Sequence, residues 1–276
     1  MRFAVARMAA VQATKFQTSM GAVPVWGRLE SFSPDRPLLF VIRGAWPPTV
    51  GYMDPLADLI PEADVALVHL PGMHSTPFRD QTVKAFATAF DEVIAKLAHP
   101  RVLVLAISIG GVVALSLTGA WETILVETPL MTAPLWPIHP RFRDIVGDNP
   151  NAAEWVRNLF GTGQDGVENR DYRSLALDFR GQGTLLLGDD PLWPERPITR
   201  IPSLVCDDSR KAYAANPRFR SVIVPNAGHN IPKDGSGHIL HLLHDTLPWR
   251  ERGTPMRGSL SSEKPHGAGK EICSIP

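Results

Sequence analysis

The chain has 276 residues, of which 28 are basic and 28 acidic, so its formal net charge is zero. That balance offers nothing to a polyanion and argues against nucleic acid as a partner. A chain of this length can bury a substantial core, either as one large domain or as one domain with an insertion. No apolar run reaches the ~20 residues needed to span a bilayer. Two cysteines, Cys206 and Cys273, make no disulfide framework, which fits a reducing compartment. The expected location is the cytoplasm, with a cleaved N-terminal signal as the minor alternative because Arg7 interrupts the early apolar residues.

In chain order, residues 13–32 read as a hairpin or two short edge strands with Gly21 at the turn. Leu38-Leu39-Phe40-Val41-Ile42 is a buried strand running into Arg43-Gly44-Ala45-Trp46-Pro47-Pro48. A short amphipathic helix is expected over 49–60, then a strand over 65–68 that ends in a Pro-Gly turn flanked by His69 and His74. Those two histidines are read as structural rather than pocket-lining. From Asp80 to Leu97, Val83, Phe86, Phe90, Val93 and Leu97 recur at steps of three and four, and His99-Pro100 ends the helix they predict. Val102 to Ile107 is an apolar run of strand length, and a second apolar run after Ser108 reads as a buried helix stopping at Gly119. Residues 123–126 form the next strand, ending in Glu127-Thr128-Pro129.

Alternation of strand and helix to this point implies an α/β fold: a mostly parallel central sheet with helices on both faces. The pattern breaks over residues 130–182, which are rich in Pro, Trp and charge, with helix candidates at 151–160 and 171–179. This is read as a small inserted helical lid between core segments 1–129 and 183–249. The alternation resumes with a strand at 184–187, a helix near 208–215, a strand at 221–224 and a helix over 237–247. Residues 250–276, with little to bury, are expected to be a disordered tail.

Ser108, Asp190 and His229 each follow a predicted strand, and the carboxyl ends of strands in an open parallel sheet are where reactive groups converge. A serine hydroxyl becomes a good nucleophile when an imidazole takes its proton and a carboxylate orients that imidazole. The stretch Ala106-Ile107-Ser108-Ile109-Gly110 approximates G-x-S-x-G, with Ala in the first glycine slot. Taken alone, Ser108 is equally a nucleophile or the cap of a buried helix.

Three segments together, VLAISIGG, LLLGDDPLWP and VPNAGHNIP, resemble the α/β-hydrolase superfamily over roughly residues 13–248. The resemblance implies a nucleophile at Ser108, an acid at Asp190 and a base at His229. Glu127 is the alternative acid, since some relatives carry the carboxylate at that position. It also implies an oxyanion hole from the backbone N–H of Ile109 and that of Ala45 or Trp46, Ala45 being preferred. Arg43 stands where many members have His, which alters the loop's support. The implied activity is a serine hydrolase acting on a small-molecule carboxylic ester or related acyl compound, with no cofactor and no metal. The same chemistry also serves an acyltransferase, an amidase or a C–C hydrolase, and a hydrolase fold that has lost catalysis would be a binding module. His238, His241 and His244 lie opposite Ile239, Leu240, Leu243 and Leu247 and read as a solvated polar face rather than a metal site. Trp136, Trp155, Trp193, Phe142 and Phe160 are candidates for an acyl pocket under the lid. Oligomeric state leaves no mark in the sequence.

Overall fold

The computed structural model describes residues 12–45, 53–73, 75–146 and 149–247. Trp46, His74, Cys273 and the expected tail over 250–276 lie outside the described residues. The chain opens with a hairpin, β1 (Gln12–Thr18) and β2 (Gly21–Gly27). Then come β3 (Leu38–Ile42), α1 (Met53–Leu59), β4 (Asp64–Val68), α2 (Val83–Leu97), β5 (Val102–Ile107), α3 (Ile109–Ala114) and β6 (Glu122–Val126). Next, α4 (His139–Val146), α5 (Pro150–Phe160), the two-residue strands β7 (Thr162–Gly163) and β8 (Gly166–Val167), and α6 (Arg173–Asp178) lie off the main sheet. The chain returns through β9 (Gln182–Gly188), α7 (Asp207–Ala215), β10 (Phe219–Val224), α8 (Ile231–Asp234) and α9 (Ser236–Thr246).

Eight strands form one sheet in the order β1-β2-β4-β3-β5-β6-β9-β10. β1 and β2 join antiparallel at one edge, and every pairing from β4 through β10 is parallel. The central strands are apolar throughout because both faces are covered. In β3, Leu38, Phe40 and Ile42 face the core under α2 and α3, whereas Leu39 and Val41 face a second core with residues of α9. Among the described residues no helix is long and apolar enough to cross a membrane.

Several expected boundaries move for local reasons. The helix predicted from Asp80 begins at Val83, because Thr82 is extended and its side chain accepts from the Ala85 N–H. The helix after Ser108 stops at Ala114, well before Gly119. On α9 Leu242 joins Ile239, Leu243 and the following Leu247 in the core, and Leu240 packs against it partly buried. The polar side of that helix carries His241 against Asp245 and His244 against Glu62. Helix α4 and the β7–β8 hairpin left no periodic signal long enough to read.

Helix α3 is squeezed between two loops. A Cβ on Gly110 would lie 2.7 Å from the Arg43 carbonyl oxygen, and one on Gly111 would lie 1.9 Å from Thr128 Oγ1. Both glycines are therefore needed for close approach, whereas a Cβ on Gly237 in α9 meets nothing within 4 Å. Gly110→Ala and Gly111→Ala should each lower the unfolding free energy in urea by about 1–3 kcal/mol. Gly237→Ala should be neutral or stabilising by up to about 1 kcal/mol. Equal tolerance at all three positions would contradict this packing.

Candidate active site

The site forms at the carboxyl ends of β3, β5, β6 and β10. Ser108 follows β5 directly and holds φ 55° and ψ −129°, a left-handed conformation that a non-glycine residue adopts only under constraint. The constraint is visible in its backbone: the Ser108 N–H donates to the Val126 carbonyl at 2.8 Å, and its carbonyl accepts from the Gly111 N–H at 2.9 Å. The residue is 7% exposed and lines a cavity of about 360 Å³. Arg43, Gly44 and Ala45 form one wall, so close that a Cβ on Gly44 would sit 3.0 Å from the Ser108 Cβ. Ile109 occupies the first position of α3, where backbone N–H groups have no intrahelical acceptor. The remaining walls are mostly apolar, with Ile138, Phe142, Phe160, Ile201 and Leu204 beside His229 and Asn230.

Of the five aromatic candidates for a pocket wall, only Phe142 and Phe160 line the cavity. Trp155 is buried behind Phe160 with ring centroids 6.0 Å apart. Trp136 donates from its indole to the Leu192 carbonyl, and Trp193 beside it is half exposed. His69 is buried edge-on against Trp26 and is absent from the cavity wall.

The structure separates the two candidate acids. Asp190 is turned toward arginines: one carboxylate oxygen accepts from Arg196 Nη2 at 2.6 Å and the other from Arg200 Nε at 3.4 Å. It is Glu127, the alternative, whose Oε2 lies 3.4 Å from His229 Nδ1. Glu127 is completely buried and sits at φ 50°. Its Oε1 accepts from the Gly188 N–H at 2.7 Å and from Ser203 Oγ at 2.9 Å, and its Oε2 from the Leu204 N–H at 2.8 Å. Of the two expected acids, the structure thus brings Glu127 to His229 and leaves Asp190 with the arginines. The physical reason is the arginine pair six and ten residues downstream, which takes the Asp190 carboxylate. Tyr213, also fully buried, is pushed well above the ordinary phenol range by burial, with the Glu127 charge adding to the effect. It remains a neutral donor to the Thr128 carbonyl at 3.2 Å.

Asp190 instead laces the segment after β9 to the histidine loop. Its N–H donates to the Ala227 carbonyl, its carbonyl accepts from Ser203, and Asp189 accepts from the Ala227 N–H. Arg200 reaches the Asn226 carbonyl at 2.6 Å, and the His229 N–H donates to Ile201 at 3.0 Å. Residues 189–206 therefore form a strap that fixes His229, a role with no periodicity to announce it in the sequence.

The alpha/beta hydrolase family matches the chain over residues 38–245. Among solved structures, a carboxylesterase from Bacillus subtilis is similar with a TM-score of 0.63 at 13% identity, covering 87% of this chain and 92% of that one. Naproxen esterase from the same organism gives 0.62 at 14% identity, with 86% and 91% covered. N-formylmaleamic acid deformylase from Pseudomonas putida S16 gives 0.58 at 15% identity, with 83% and 99% covered. No curated protein sequence matches significantly.

The strap yields a direct test. Asp190→Asn should lower the unfolding free energy by about 1 kcal/mol, since partly exposed ion pairs contribute on that scale. It should also quicken proteolytic cleavage within 189–206. Unchanged stability and cleavage would show that the ion pairs do not hold the strap.

Proposed function

The chain belongs to the alpha/beta hydrolase family, and from that premise we propose that it is a serine hydrolase cleaving a carboxylic ester with an apolar acyl group. The single observation that carries this reading is the shared cavity: Ser108 on its strained turn and His229, backed by Glu127, line the same space. The esterases among the similar structures support the substrate class by analogy.

In the proposed reaction His229 Nε2 takes the proton of Ser108 Oγ as that oxygen attacks the acyl carbon. The carbonyl oxygen becomes an oxyanion held by the backbone N–H groups of Ile109 and Ala45, preorganised donors that favour the transition state over the substrate. Collapse breaks the bond to the alkoxide oxygen, which leaves as the alcohol with the proton from His229. Water, deprotonated by His229, then releases the acid and returns Ser108 Oγ–H. Glu127 accepts from His229 Nδ1–H and so keeps Nε2 facing Ser108. The 3.4 Å separation is long for a charge-assisted hydrogen bond and contracts as imidazolium forms.

The apolar lining from Ile138, Phe142, Phe160 and Leu204 suits a hydrocarbon or aryl acyl group. Residues 130–182, read as a lid, supply Ile138, Phe142 and Phe160 and would set acyl preference. An amide would follow the same steps with an amine as leaving group, as the deformylase analogy suggests.

Ser108→Ala should reduce hydrolysis of p-nitrophenyl butyrate by about 10³-fold or more while leaving the protein folded. Turnover near the wild-type rate in that variant would remove Ser108 from the reaction.

A further inference from the structure

Ser203 and Arg210 lie behind the proposed acid, and neither lines the cavity. Ser203 is wholly buried, and its Oγ is 2.9 Å from Glu127 Oε1. The same oxygen is approached by Arg210 Nη2 at 3.1 Å and by the Val205 N–H at 3.5 Å. Guanidinium and backbone N–H groups can only donate, and a serine hydroxyl has one proton. That proton therefore has one direction left, toward Glu127.

Arg210 is itself fixed. Its Nε donates to the Val205 carbonyl at 3.0 Å and its Nη2 reaches the Gly188 carbonyl at 3.5 Å. Gly188 and Leu204 are the two residues whose N–H groups also bind the Glu127 carboxylate. The guanidinium thus ties together the end of β9 and the end of the strap, the two backbone segments that cradle the acid.

We infer that Ser203 and Arg210 are positioning residues that hold Glu127 so that Oε2 faces His229 Nδ1. The inference rests on the proposed role of Glu127. Arg210 acts through Ser203 by forcing its hydroxyl to donate, and through the Gly188 and Val205 carbonyls by fixing the cradle. Loss of either side chain lets the carboxylate turn away from His229, which slows activation of Ser108 without altering the walls that bind the acyl group.

The test measures the second-order rate of labelling by a fluorophosphonate probe, together with kcat and KM for p-nitrophenyl butyrate. Wild type, Ser108→Ala, Glu127→Gln, Ser203→Ala, Arg210→Met, Arg210→Lys and the double variant Ser203→Ala/Arg210→Met are compared, each with its melting temperature. Ser203→Ala and Arg210→Met should each lose about 10- to 100-fold in labelling rate and kcat, with KM within about twofold. Arg210→Lys, which keeps a donor for Ser203, should lose less than Arg210→Met. The double variant should be no slower than the slower single variant, because the two side chains act on one hydrogen bond. A merely structural role would lower the melting temperature without this split or this non-additivity. If Arg210→Met does not fold, Ser203→Ala and Arg210→Lys carry the comparison. Labelling and kcat at wild-type level in Ser203→Ala, with Ser108→Ala inert and Glu127→Gln slow, would overturn the inference alone. An unlabelled wild type, or Ser108→Ala labelled equally, would overturn the reading of the site and this inference with it.

Discussion

A completely buried acidic side chain has to find every partner it needs inside the protein, and Glu127 sets that requirement on three separate stretches of chain. The cost of leaving such a group unpaired is several kcal/mol, so Gly188 at the end of β9, Ser203 and Leu204 in the strap, and His229 after β10 are all drawn to it. The stretches are far apart in sequence. Their convergence at one carboxylate places the histidine against the cavity that Ser108 lines. Glu127 itself takes a left-handed φ of 50° directly after β6.

Ser108 answers to a second constraint of the same kind. Its strained turn is held by the Val126 carbonyl on the neighbouring strand and by close packing of Gly110 and Gly111 against the loops after β3 and β6. Those loops carry Ala45 and Glu127 respectively. Backbone strain at the serine, the wall that includes Ala45 and the position of the acid are consequently linked through α3. A rigid scaffold of this kind is what preorganised catalysis asks for.

Much of this was legible in the sequence, for identifiable reasons. Strands β3, β5 and β6 are buried on both faces and stand out as apolar runs, and α2 advertises itself through Phe86, Phe90 and Val93. Ser108 alone reads equally as a helix cap, and only the three segments VLAISIGG, LLLGDDPLWP and VPNAGHNIP taken together point to it and His229, which line one cavity in the structure. The acid was harder. β6 and β9 are neighbours in the sheet, so Glu127 and Asp190 both leave the same end of adjacent strands. Sequence offers no measure of which carboxylate turns inward. That outcome depends on Arg196 and Arg200, whose partners are decided only when the strap folds over the histidine loop. Ser203 and Arg210 are equally silent, since a lone hydroxyl and a lone arginine carry no pattern until the carboxylate they serve is in place.

If Glu127, and not Asp190, orients His229, the two carboxylates differ sharply in what their loss does to turnover. The decisive comparison is kcat for p-nitrophenyl butyrate in Glu127→Gln and Asp190→Asn, each verified as folded by circular dichroism. An amide at 127 keeps the shape but no longer accepts at both oxygens from the imidazole and its cradle. Glu127→Gln should lose about 10³- to 10⁴-fold, and Asp190→Asn should change by no more than a few-fold. The reverse pattern, with Glu127→Gln near wild type and Asp190→Asn inactive, would contradict that role for Glu127.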